Sequence, residues 1–325
     1  MLPVARVGRA NAPKGESIVR KLVALSAALV GALAIGLAPA GAIVNGGVPD
    51  GNAHPMVGEL FFYVPDAVDP RFTDPGAWFT CTGTLISPTV VLTAGHCTDS
   101  VGLNGVETTS DGGDGGNDIW FNLDEKPTFD GLPPSSAYVP DGNQERYEDR
   151  VDWFATKPAW RRGEAQSHPD FNPAAFFLFD LGVVILDTPV AMSQYGEPTE
   201  DEGILDSKDA KKALYTPVGY GLNASGPKIA EGGDERFRAT MKLVNVNGTF
   251  GIPDGTSAKF SSNNGSPHTG GTCFGDSGGP IFRQGTFEIV AVTSFGISST
   301  CSGSSGGYRI DQEDDMEWLA EILAG

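Results

Sequence analysis

From residue 43 onward the chain alternates short β-type runs with clusters of turn residues, and this punctuation limits it to folds built from many short strands. The runs fall at residues 56–64, 82–86, 89–94, 176–186, 214–219, 241–246, 280–282 and 287–295. Among 325 residues there are 44 glycines and 23 prolines, which disfavour long helices and suit tight turns. Short strands separated in this way point to an all-β barrel or sandwich. The length allows one large domain or two small ones. Sustained helical spacing occurs at the C-terminus, at about 311–324. There Asp311 is placed to cap, and Glu313, Asp314 and Asp315 sit where a helix dipole favours negative charge. Met316, Leu319, Ala320 and Leu323 are expected on its buried face.

Residues 1–42 read as a secretory leader. Arg20 and Lys21 precede the apolar run 22–38, and Ala40-Gly41-Ala42 closes it with the small-x-small pattern of a cleavage site. At 17 residues, rich in Ala and Gly, the run lies at the short limit of the ~17–25 that a spanning helix needs, so no membrane anchor is expected. The stretch before Arg20 is long for a basic leader region, which would fit translation starting near Val19. The formal net charge of −19 opposes nucleic acid as a partner. An exported chain with four cysteines is expected to hold two disulfides, for which three pairings exist. The acidic, Gly-rich stretch 108–118 has the alternation of a calcium loop at 111–118. It lacks a distal bidentate Glu, and a solvated surface loop is the reading favoured. Otherwise no cofactor and no metal is expected. A surface insertion is expected at about 99–165.

Ser277 stands in Gly-Asp-Ser-Gly-Gly-Pro, residues 275–280. Serine is a weak nucleophile and needs a base beside it, while flanking glycines let backbone N–H groups approach a developing oxyanion. Four histidines compete for the role of base. His54 and His168 precede proline and read as extended surface residues, and His268 lies in a Ser/Asn/Gly loop. His96 follows the apolar strand Val90-Val91-Leu92 and adjoins Cys97. Alone it would read as structural; beside Ser277 it reads as the base. Asp180 interrupts the apolar run AAFFLFDLGVVIL, residues 174–186. A buried carboxylate there needs hydrogen-bond donors, and an imidazole N–H is one. A turn between two strands is the plainer alternative, and Asp187 reads as the exit of the strand.

These pieces resemble the chymotrypsin/trypsin family of serine proteases. The matching segments are Ile43-Val44-Asn45-Gly46-Gly47, TAGHC at 93–97, DLGVVIL at 180–186, GDSGGP at 275–280 and Ser294-Phe295-Gly296, with the order His, Asp, Ser. The resemblance implies two antiparallel six-stranded β-barrels, the first at about 43–190 and the second at about 191–310, closed by the C-terminal α-helix. It implies a catalytic triad of His96, Asp180 and Ser277, with Ser294 supporting Asp180. It implies an oxyanion hole from the N–H groups of Gly275 and Ser277, and disulfides Cys81–Cys97 and Cys273–Cys301. A free amino group at Ile43 would pair with Asp276. Gly271 would form the floor of the substrate pocket beside Thr272, with Gly296 and Gly306 as walls. No acidic residue lies at that floor, so large apolar or aromatic residues are the expected preference rather than Arg or Lys. Glutamate is the rival, weakened by Thr293 where related glutamyl enzymes carry His. Peptides and proteins are the expected substrates, protein inhibitors a further class of partner, and a monomer the expected state. A binding protein on the same fold, or an esterase using the same triad, are the other classes to be distinguished.

Overall fold

The computed structural model describes residues 43, 46–67, 76–102, 117–134, 143–226, 229–247, 251–253, 255–263, 265–296 and 298–325. The leader 1–42 and residues 111–116 of the Asp/Gly loop lie outside the described residues.

Twelve strands form two barrels. The first is built from β1 (Val57–Val64), β2 (Ala77–Leu85), β3 (Val90–Thr93), β4 (Asp118–Asn122), β5 (Trp160–Ser167) and β6 (Gly182–Leu186). They pair antiparallel in the order β1-β2-β3-β6-β5-β4, and β4 returns to β1 through Glu59↔Asn122 and Phe62↔Ile119. The second holds β7 (Leu214–Gly219), β8 (Met241–Asn245), β9 (Ser257–Ser261), β10 (Pro280–Arg283), β11 (Glu288–Gly296) and β12 (Ser304–Arg309). Its order is β7-β8-β9-β12-β11-β10, closed where Ile281 meets Pro217. The same path is therefore traced twice. Closure removes the exposed edges that open sheets must otherwise protect.

The first barrel is filled by Leu60, Phe62, Val91, Ile119, Phe121 and Val184, and this core continues into Phe282, Ile289 and Val292 of the second. Met241, Leu243, Ala258, Phe260, Ile281 and Val290 fill the second barrel. The disulfides are Cys81–Cys97 and Cys273–Cys301, bridging sequence separations of 16 and 28 residues. A loop of the shorter length is worth ~3 kcal/mol in the chain-entropy account.

Three sequence expectations need correction. The surface insertion at about 99–165 contains β4 and most of β5, so both belong to the barrel wall. Trp160–Ser167 escaped notice because Arg161, Arg162 and Glu164 mask its alternation. Helix α1 (Asn143–Ala155) also falls there. Its Tyr147 and Phe154 pack with Phe61, Trp78, Trp120 and Trp160 on the outside of the first barrel, and Phe154 stacks on Trp120 at 4.5 Å. The guanidinium of Arg150 lies 5.0 Å from the Trp78 ring centre. At the C-terminal helix α2 (Glu313–Ala324), Gln312 rather than Asp311 is the cap. Asp311 instead accepts from Arg309 and from the Leu205 amide. The inner face of α2 is Asp315, Trp318 and Leu319, while Ala320 and Leu323 point outward. The buried Asp315 is satisfied by the Tyr308 hydroxyl, and burial pushes its carboxyl up to about 8.

Glu59 on β1 is fully buried, and among the described residues neither carboxyl oxygen has a hydrogen-bond partner. Burial, reinforced by Asp234, raises its carboxyl well above the ordinary 4.5. The folded chain then holds a proton that the unfolded chain releases above about 4.5, so this group costs stability as pH rises from 4.5 toward its folded value. Glu59→Gln is expected to melt higher than the unmodified chain at pH 8, with the gap closing as pH falls toward 4.5. Thermal unfolding across that range checks it, and a gap independent of pH would contradict it.

Candidate active site

The β3 strand ends at Thr93 and the chain turns at once through Gly95-His96-Cys97. Cys97 is tied to β2 by its disulfide, and Thr98 Oγ1 donates to the Gly95 carbonyl at 2.9 Å. Gly95 is required here because a side chain would strike the Phe171 ring at 2.7 Å. His96 therefore projects from a turn fixed on both sides.

Asp180 approaches from the other direction. Phe179 adopts φ 52°, in the left-handed region, and the Leu181 amide closes back on the Phe179 carbonyl at 2.7 Å. This reversal turns Asp180 inward, where it is 0 % exposed. Gly182 follows because Thr98 Oγ1 would lie 2.4 Å from any Cβ at that position. The Asp180 carboxylate accepts from the His96 amide at 2.9 Å and sits 2.9 Å from His96 Nδ1. Its second oxygen accepts a short hydrogen bond from the Ser294 hydroxyl, carried on β11 of the other barrel. Burial opposes charging of the imidazole, but the Asp180 charge and hydrogen bond outweigh it and raise His96 above its ordinary 6.5.

Ser277 lies in the turn before β10 and is partly exposed. Its carbonyl accepts from the Thr82 amide at 2.8 Å. Gly278, at φ 75°, packs so closely that a Cβ would meet Thr93 Oγ1 at 1.9 Å and the Ala94 amide at 2.7 Å. The backbone of the serine turn is thus laid directly on the strand that leads to His96. Among the described residues no hydrogen bond joins the Ser277 hydroxyl to the His96 ring. The Phe176 ring stands edge-on to His96 at 6.3 Å, and Phe295 lies 6.3 Å beyond it.

The loop before the serine is held by Asp276. Its buried carboxylate accepts from the Gly221 and Cys273 amides, each at 2.8 Å, and burial still pushes it up to about 7. Gly219 and Gly221 leave room for it, since a Cβ on either would come within 2.2–2.7 Å of Asp276 atoms. Ile43 is buried with Phe237 and Ala239. Among the described residues no ion pair joins it to Asp276. In the uncut chain its nitrogen is a peptide amide and carries no charge.

The pocket residues of the sequence reading cluster in the second barrel. The Thr272 amide donates to Ser305 Oγ at 3.0 Å, and Ser262 Oγ occupies the space beside Gly271. Gly306 pairs with Phe295, whose ring covers it, and Gly296 pairs with Ser305. Two histidines depart from expectation. His54 and His168 are buried, not exposed: His54 is held by Asp50, and His168 stacks on Phe179 at 5.1 Å. The proline after each disguised these inward contacts. Asp118, at the end of the Asp/Gly loop, pairs with Arg162 and accepts from Tyr147. Gly219, Gly221, Phe176 and Thr82 escaped the sequence reading; the Gly-Tyr-Gly triplet at 219–221 was the available signal.

The fold is a double β-barrel with an acid–imidazole pair held by donors from both halves. A family model described as Trypsin matches residues 153–313. Serine protease 7 of Drosophila melanogaster is 25% identical over 264 residues, covering 75% of this chain. The chain spans 57% of that relative's length. Brachyurin of Leptuca pugilator is 26% identical over 230 residues, covering 68% of this chain and 77% of its own. The solved structure of HL collagenase superposes with a TM-score of 0.57 over 87% of this chain and 99% of that chain, at 17% identity, a likeness of fold. The chain is thus similar to the trypsin-like serine proteases over residues 153–313, and shares the double-barrel fold over most of its length.

Ser294→Ala removes one donor from the Asp180 carboxylate. A hydrogen bond to a charged buried group is worth ~1.5–3 kcal/mol, so the folded state should lose stability on that order at pH 7. Urea unfolding measures it, and an unchanged midpoint would contradict the bond.

Proposed function

We propose that the chain is a secreted serine endopeptidase in which Ser277 attacks the peptide carbonyl, His96 takes its proton and returns it to the leaving amine, and Asp180 orients the imidazole. Water then hydrolyses the acyl-enzyme. The observation that carries this reading is the Asp180 carboxylate, itself shut away from water, bound to both the amide and the Nδ1 of a partly exposed His96. With Nδ1 committed to Asp180, Nε2 is the basic atom left for the serine. The hydrogen bond between nucleophile and base commonly tightens only with substrate in place.

The oxyanion hole is assigned to the N–H groups of Gly275 and Ser277. The Phe274 carbonyl accepts from the Leu222 amide at 2.8 Å, so the N–H on the far side of that trans peptide, that of Gly275, points away from Leu222. Two fixed amides aimed at the developing charge are the largest single aid such a site supplies. In the pocket, Gly271 and Thr272 form the floor and Gly296 and Gly306 the walls. The residues described there are uncharged, and the Phe295 ring lines the Gly306 wall. This supports cleavage after large apolar or aromatic residues. Cleavage of the leader before Ile43, at Ala40-Gly41-Ala42, would create an ammonium able to pair with Asp276, which holds two amides and, among the described residues, no cation. Such a pair would order the oxyanion loop.

The purified secreted form, incubated with a mixed peptide library, is expected to begin at Ile43 and to cleave after large apolar or aromatic residues. Ser277→Ala should lose about 10⁴-fold or more of turnover. Main products ending in Arg, Lys or Glu would overturn the specificity. Activity retained in Ser277→Ala, or turnover of esters with no peptide cleavage, would overturn the endopeptidase assignment.

A further inference from the structure

On the outer face of the second barrel is a cavity of about 310 Å³, bounded by β7, the strand Val48–Pro49, residues 238–240 and residues 266–268. Sites for small molecules run from about 300 to 1,000 Å³. One part of the wall is apolar: Val48, Leu214, Ala239 and Pro267. The other part is polar and includes Arg238 and His268.

Arg238 is a surplus cation. Its nearest carboxylate is Asp50, whose Oδ1 lies 3.7 Å from Arg238 Nε. That carboxylate is already taken. Asp50 Oδ1 holds His54 Nδ1, and Asp50 Oδ2 accepts from the His54 amide at 2.9 Å and from Arg236 Nε at 3.1 Å. Arg236 is fully buried, so its charge has first claim on Asp50. One carboxylate thus faces two guanidinium groups. Among the described residues Arg238 Nε, buried toward Asp50, makes no hydrogen bond, while the side chain as a whole is 41 % exposed.

We infer that this cavity binds a small organic carboxylate, its charged end on Arg238 and its short apolar body against Val48, Leu214, Ala239 and Pro267. A carboxylate supplies charged acceptors for the exposed part of the guanidinium. The apolar wall, which an inorganic oxyanion would leave uncovered, selects for a hydrocarbon chain. This site uses none of the residues assigned to proteolysis.

The probe is hexanoate, with hexanamide as its uncharged counterpart, titrated into the full secreted chain by calorimetry. Hexanoate is expected to bind, with hexanamide weaker by about tenfold or more. Arg238→Gln should weaken hexanoate by a similar factor, and Ser266→Trp, which fills the cavity while keeping Arg238, should abolish binding. No binding of hexanoate, equal binding of the amide, or affinity unchanged in Arg238→Gln would overturn the inference. Binding undiminished in a correctly folded Ser266→Trp would place the ligand elsewhere and overturn it equally.

Discussion

A carboxylate shut away from water is the constraint around which this molecule is arranged. Asp180 is 0 % exposed, and an unpaired charge in such a place costs several kcal/mol or is not formed. Its donors come from separate parts of the chain: the amide and ring of His96, on the turn after β3, and the hydroxyl of Ser294, on β11. The carboxylate is satisfied only when the first barrel is closed and the second is docked against it. The same contacts that stabilise it fix the imidazole, so folding and the chemistry proposed for the site draw on one interaction.

The serine is brought to this pair by backbone packing. Thr82, on β2, is the hub. Its amide donates to the Ser277 carbonyl, its hydroxyl donates to the Gly275 carbonyl and accepts from the Tyr220 amide, and its carbonyl accepts from Thr93 Oγ1. Gly278 allows this approach because no side chain fits between the two barrels there. A second seam is made by Arg236, whose guanidinium reaches the carbonyls of Val57 and Leu123, the Tyr220 hydroxyl and Asn52. Asp276 is held by the amides of Gly221 and Cys273 and, among the described residues, faces no cation.

What could be read in advance follows the physics of each signal. Asp180 was legible because a lone carboxylate in a run of apolar residues demands a partner. The strands built on apolar alternation or continuous apolar runs, such as Val57–Val64 and Glu288–Gly296, were visible for the same reason. The segments SAKFS at 257–261 and SSGGYR at 304–309 were not, since Ser and Gly carry little hydrophobic pattern; their strand character comes from pairing with neighbours. Helix α1 was hidden because Tyr147 and Phe154 are scattered among charges, and their meaning appears only beside the aromatic residues of β1, β2, β4 and β5. The burial of Arg236 was illegible, because it depends on carbonyls far away in the chain.

The central claim is that Asp180, not burial, sets the charge state of His96. It is tested most directly by titrating the His96 ring by NMR in the unmodified chain and in Asp180→Asn. The account predicts a pKa above 6.5 in the first and below 6.5 in the second, where burial acts without the opposing charge. A value at or below 6.5 in the unmodified chain, or one that Asp180→Asn leaves unmoved, would contradict it.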